Sequence, residues 1–375
     1  MDALGYAKEL VAFESTSNLS NVPITDYVET VLKQLNFSTE RLEYEDAKGV
    51  KKANVVGKKG EGTGGMAYFG HTDVVPADTW FSREHGPFEP TVKENRLYGR
   101  GSCDMKGSVA CMLAASEQFQ TSELKYPIYI TCTADEEVGF GGAGHVARST
   151  DYFKEMVKGE SNGVVGEPTM LEVVYAHKGT YGFRVTSHGK AAHSSSREGL
   201  NANLAMIPFL SEMKKIHDET EVDPIWKNLE FNPPTITWNI GVNDHTKAIN
   251  ITPPQSICTV YFRPMPGQDA ESLIERSCRA AEKSGLEFEK MWNGQPLYVD
   301  PGSDFVQQIL SVVEKEKPMT VPYGTDGSML TDLKKLVLFG PGNIVKAHTF
   351  DEWVDLSQLV KGTEMYTKLI RYWCL

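Results

Sequence analysis

The chain has 375 residues, a formal net charge of −12, 40% apolar residues and 23% charged ones. That length exceeds the usual reach of one hydrophobic core, so two domains are expected. The acidic balance disfavours nucleic acid, which needs a basic face against its phosphates, and no apolar run approaches the roughly 20 residues of a membrane span.

Residues 1–16 mix acidic positions into an amphipathic pattern, unlike a basic and then apolar leader. The six cysteines are scattered, with no CxxC pair. Both features point to reduced thiols and a cytoplasmic protein. Leu4, Ala7, Leu10 and Val11 share one helical face, as do Tyr27, Val28, Val31, Leu32 and Leu35. Strand-like runs follow at 54–57 and 66–69, with a glycine-rich loop over 57–65 that resembles no phosphate cradle. A helix is expected over 110–119, and buried strands over 128–133 and 163–165. Strands alternating with helices imply an α/β domain.

From about residue 179 to 292 the rhythm changes. Strands at 180–187, 234–242, 256–263 and 286–291 enclose helices at 201–217 and 268–284. This β-α-β-β-α-β order describes a ferredoxin-like unit inserted into the first domain. The α/β pattern then resumes with a helix at 303–315, a strand at 336–339 and a helix at 356–372. The expected domains are therefore 1–178 with 293–375, and 179–292.

Three polar clusters stand just past strand-like runs: His71-Thr72-Asp73, Asp135-Glu136-Glu137 and Gly166-Glu167-Pro168. Ligands of open α/β sheets gather at the carboxyl ends of strands. Taken singly, each candidate has a bland explanation. His71 could be a hydrogen-bonded structural histidine, Asp104 a helix cap, Glu137 a solvated charge, Glu167 a turn residue and His348 a surface histidine. Together they form a set of nitrogen and oxygen donors suited to zinc, with cobalt or manganese as substitutes. Two histidines and three carboxylates are too many for one ion and suit a pair sharing a carboxylate. Asp73 is placed to accept the second ring N–H of His71. Glu136 is a candidate general base.

The segments GHTDVVP, GRGSCDMKG, TADEEVG, GEPT and AH at His348 occur in the order found in the M20 metallopeptidase family, which the chain resembles over its whole length. The resemblance implies two metal ions, one held by His71 and Glu167, the other by Glu137 and His348, with Asp104 bridging and the Asp104-Met105 peptide cis. It also implies that Glu136 is the base and then the proton donor. The inserted domain becomes a lid and dimerisation unit. There His193 reaches a partner subunit's site to stabilise the oxyanion, Arg263 binds the substrate carboxylate and Asn250 faces the ligand. Gly324 and Thr325 belong to the substrate loop.

The segments at 176–179, 189–195 and 339–354 look most like acetylornithine deacetylases. The expected reaction is hydrolysis of an N-acyl amino acid, N-acetyl-L-ornithine first. N-acetylcitrulline, succinyl-diaminopimelate, other acyl amino acids and dipeptides are the alternatives. At 324–327 the sequence GTDG departs from the Cys-Thr-Glu-like stretch of those enzymes, which bears on side-chain specificity and not on the chemistry. A relative that only binds would have lost a ligand or the base, and here all are present.

Overall fold

The structure, a computed structural model, describes residues 1–78 and 80–375. The chain divides into two compact units: residues 1–176, 298–319 and 325–375, and residues 177–297 with 320–324.

The first unit is built on a mixed sheet. In spatial order its strands run Ser38–Glu45, Lys51–Lys59, Ile128–Thr133, Met66–His71, Asn162–Val165 and Leu336–Leu338, with Val174–His177 beyond. The four strands from Ile128–Thr133 to Leu336–Leu338 are mutually parallel. Ile128–Thr133 and Met66–His71 are buried at every position, as expected of parallel strands covered on both faces. Their carboxyl ends define one rim of the sheet. Ser38–Glu45 escapes a sequence reading because this antiparallel edge strand, STERLEYE, has no fully buried residue. Charge on an edge strand blocks unwanted pairing.

Helix Lys106–Ser116 is buried on every side. It starts a turn before the expected 110, because its first turn holds the weak helix formers Gly107 and Ser108 for packing reasons. A Cβ on Gly107 would lie 2.4 Å from the Ser102 carbonyl oxygen. The Ser108 hydroxyl is 2.8 Å from both the Tyr68 and the Tyr366 hydroxyl. Helices Gly141–Ser149 and Asp151–Lys158 were absent from the sequence expectation. The first opens on two glycines, and glycine at 142 is required: a Cβ there would meet the Ala134 carbonyl oxygen at 2.3 Å.

The second unit is a four-stranded antiparallel sheet in the order Thr237–Asn243, Gln255–Arg263, Thr180–His188, Glu287–Gly294. Helices Ala202–Val222 and Ala270–Lys283 share a core with it that includes Phe183, Phe209, Ile216, Val260, Phe262 and Leu273. Counted along the chain, the strand order is second, third, first, fourth, the ferredoxin-like arrangement expected from the element order.

Candidate metal centre

His71 is the last residue of its strand, in register with Thr133. One nitrogen, Nδ1, is 2.9 Å from the backbone carbonyl oxygen of Asp73. The Asp73 carboxylate is 3.7 Å away. The sequence reading expected the Asp73 side chain at this nitrogen, and the main-chain oxygen is the nearer of the two. The reason is that the Asp73 carboxylate is already engaged. It accepts N–H bonds from Glu136 at 3.1 Å and Glu137 at 3.3 Å, and the Ser17 hydroxyl at 2.8 Å. Asp73 thus shapes the loop after Thr133.

With Nδ1–H committed, the His71 Nε2 faces a cluster of acids. Asp104 Oδ1 lies at 3.1 Å, Glu136 at 3.9 Å and Glu167 at 4.0 Å. The other Asp104 oxygen, Oδ2, is 3.3 Å from His348 Nε2, which is also 3.1 Å from Glu137. Each oxygen of Asp104 therefore faces a different histidine. His71, Asp104 and Glu137 each offer a donor atom within 4.8 Å of the other two. The Asp104–Met105 peptide is cis.

The electrostatics follow from packing anionic groups out of water. Burial pushes Glu136 and Glu167 well above the ordinary carboxylate range, with neighbouring carboxylates adding to the effect and His71 opposing it. Burial also raises Glu137. For Asp104 burial is outweighed by hydrogen bonds from His348 and His71, and its carboxyl is held below its usual range. Hydrogen bonding to Asp104 and Glu137 pushes His348 up to about 10. Its side chain is 51% exposed, whereas that of His71 is 1% exposed.

These residues fit metal ions. Glu167 is buried with Oε1 unpartnered, and an uncompensated buried carboxylate is costly. A cation between Glu167 and His71 on one side of Asp104, and another between Glu137 and His348 on the other, would satisfy all five.

Sequence reasoning missed two buried carboxylates close to these residues. Glu352 is 1% exposed, and it accepts backbone N–H bonds from Gly101, Cys103 and Asp104 at 2.9–3.0 Å and one from the Arg100 guanidinium at 2.8 Å. It fixes the Asp104 segment from a loop that begins four residues earlier with His348. Asp326 is buried, with Oδ2 accepting from the Thr133 hydroxyl at 2.5 Å, and burial pushes it up to about 7. The only sequence signal for either was position: Glu352 stands four residues after His348, and Asp326 lies inside the GTDG stretch.

Of the remaining candidates, Thr325 belongs to the first unit and His193, Asn250, Arg263 and Gly324 to the second. Thr325 is fully buried, and its hydroxyl accepts the Gly327 N–H at 3.1 Å, so it shapes the loop that follows Gly324. In the second unit, His193 and Asn250 are exposed neighbours. The Ser194 N–H donates to the Asn250 carbonyl at 2.9 Å, and His193 forms a β-bridge with Ile251. The His193 Nδ1 is 2.6 Å from the Ser195 hydroxyl. Arg263 ends strand Gln255–Arg263, its guanidinium 5.1 Å from the Tyr261 ring centre and its Nη1 buried without a partner. Beside it the buried His177 is pushed down to about 4, by burial first and then by the Arg263 charge.

Residues 67–372 match the family model described as peptidase family M20/M25/M40. An acetylornithine deacetylase of Myxococcus xanthus is 33% identical, over 98% of this chain and 96% of its own length. One from Proteus mirabilis is 32% identical, over 97% and 93%. Among solved structures, an M20 family metallo-carboxypeptidase from Sulfolobus solfataricus aligns with a TM-score of 0.77 at 20% identity, covering 99% of this chain and all of that one. A dinuclear metal-binding M20 peptidase from Bacillus subtilis aligns with a TM-score of 0.63 at 15% identity, covering 98% and 96%. From the match over more than half of the chain, together with relatives above 30% identity along nearly all of it, it follows that this protein is a hydrolase belonging to peptidase family M20/M25/M40.

Proposed function

We propose that the protein is a two-metal amidohydrolase that removes the acyl group from an N-acyl amino acid, N-acetyl-L-ornithine being the first choice. The observation that carries this reading is the division of Asp104, one oxygen toward His71 and the other toward His348, with Glu167 and Glu137 on the respective sides. Zinc is the metal we assign to both positions. Ions bound there would polarise the acyl carbonyl and acidify the attacking water.

The protein's own groups do the rest. Glu136 takes a proton from the attacking water and returns it to the departing amine, and its burial suits a carboxylate that must hold a proton part of the time. Arg263 binds the substrate carboxylate, a planar fork being matched to that group. Asn250 and Gly324 line the substrate, with Thr325 setting the shape of the Gly324 loop. His193, exposed beside Asn250, reaches the site of a second copy in a homodimer formed through the inserted domain and donates to the developing oxyanion. Residues 179–292 form that lid, and 1–178 with 293–375 carry the chemistry. Six unpaired cysteines, five of them buried, suit a reducing cytoplasm. Among the described residues no helix is long and apolar enough to cross a membrane.

The test is amine release from acetylornithine, acetylcitrulline, acetylmethionine, succinyl-diaminopimelate and a dipeptide, with added zinc and with chelator. Chelator-sensitive preference for acetylornithine is expected. Preference for another member replaces the substrate and keeps the chemistry, while turnover that ignores chelator removes the metal reading. Glu136→Gln should lower kcat by about 10³ with both metals retained. An unchanged kcat would remove Glu136 from the mechanism.

A further inference from the structure

The Glu136-Glu137 pair hangs on a backbone that must turn sharply after strand Ile128–Thr133. Asp135 makes the turn with φ at 58°, a left-handed conformation that L-residues avoid and aspartate tolerates better than most. Two side chains hold it there. The Tyr44 hydroxyl donates to Asp135 Oδ2 at 2.8 Å, and the Lys52 ammonium lies 2.8 Å from Oδ1. The lysine contact is close but not aligned as a hydrogen bond, so its attraction is electrostatic. Tyr44 and Lys52 sit directly opposite each other on the paired strands Ser38–Glu45 and Lys51–Lys59. The Tyr44 ring is itself stacked on His145, with centroids 4.2 Å apart.

Lys52 has no exposed surface. Its ammonium also donates to the Ser17 carbonyl at 2.6 Å and the Leu19 carbonyl at 2.8 Å. Ser17 in turn donates through its hydroxyl to Asp73, the carboxylate that accepts the Glu136 and Glu137 N–H groups. One buried cation therefore touches both holders of the pair, Asp135 directly and Asp73 through Ser17. Burying a lysine is costly, and an apolar side chain of similar volume would fill the space without that penalty. Packing alone leaves the charge unexplained.

We propose that Lys52 is a positioning residue for Glu136: through Asp135 and the Ser17–Asp73 link it fixes the loop on which Glu136 is presented. This rests on the reading of Glu136 as the base. Misplacing a reacting group by about 1 Å costs on the order of 10² in rate. Lys52→Met, which keeps most of the volume, should lower kcat by about 10² at saturating metal while KM stays near its original value. In a Glu136→Gln background the same change should add no further loss, since two residues acting through one step are not additive. Tyr44→Phe, which keeps the ring on His145, should act in the same direction and less strongly.

An activity-independent measurement accompanies these. Amide hydrogen exchange at Glu136 and Glu137 should speed up at least tenfold in Lys52→Met, with Ile128–Thr133 still protected. Unchanged kcat together with unchanged exchange would overturn the proposal. So would loss of protection across the whole strand, which marks general destabilisation. If the unaltered protein turned over no acyl amino acid, the assignment of Glu136 would fall. The exchange measurement would still judge the positioning of its loop.

Discussion

Glu352 shows how a single side chain can set the geometry of a centre it does not enter. Its two oxygens collect three main-chain N–H groups and a buried guanidinium. Glu352→Gln cannot reproduce this, because its amide nitrogen would face a donor. The change leaves the Arg100 cation buried without its partner, a loss of about 3–5 kcal/mol for such pairs. Metal affinity should fall by about 10–100-fold, as for other residues that orient ligands. Equilibrium dialysis against zinc, with the unfolding midpoint measured in parallel, checks both effects; unaltered affinity would remove Glu352 from the centre. At this scale His71, Glu137 and Glu167 stood out as polar residues just beyond apolar runs. Glu352 in FDEWVD and Lys52 in VKKAN did not. A buried charge with long-range partners reads locally like a solvated one, and its donors lie up to 252 positions away.

The elements were legible in proportion to their apolar patterning. Ile128–Thr133 and Met66–His71 announce themselves as buried runs. Ser38–Glu45, charged and on the sheet edge, and helix Gly141–Ser149, opened by two glycines, carry no such signal. The helix depends on close approach, and so does the strand that delivers Glu167. Gly166 follows Asn162–Val165, and a Cβ there would meet both the Ser108 and Tyr68 hydroxyl oxygens at 2.3 Å. Neither oxygen can retreat, since they bond each other and Ser108 also bonds Tyr366. Overpacking of this kind costs about 1–3 kcal/mol. Gly166→Ala should lower the unfolding midpoint and displace Glu167, so that elemental analysis finds less than the full complement of metal. Full loading with an unchanged midpoint would contradict this account.

For the molecule as a whole, the element order gave the two architectures, an α/β layer and a β-α-β-β-α-β unit. The exclusion of nucleic acid rested on overall charge, which says nothing about the acidic pocket around His71 and His348. That pocket has a pH consequence. Hydrogen bonding to Asp104 and Glu137 raises His348 from its ordinary 6.5 to about 10. A group raised on folding contributes stability that is fully present below its unfolded value and is lost as pH climbs through the folded one. In the presence of chelator, this contribution should therefore fade between about 6.5 and 10. On the proposed assignment a metal ion would compete with the proton for the same Nε2, so zinc affinity should rise with pH over that window. Calorimetric titration with zinc in two buffers of different ionisation enthalpy should reveal proton release, and buffer-independent heats would refute the competition.

The five proposed ligands lie at sequence positions from 71 to 348, with Asp104 between the two histidines in space. On that assignment, two ions sharing Asp104 tie the early part of the first unit to its closing segment, much as a cross-link would. Ligand binding of this kind stabilises only the folded form. Opening the segment around His348 and Glu352 then releases metal as well as chain, so cofactor retention and the integrity of the chain's last turns become the same quantity.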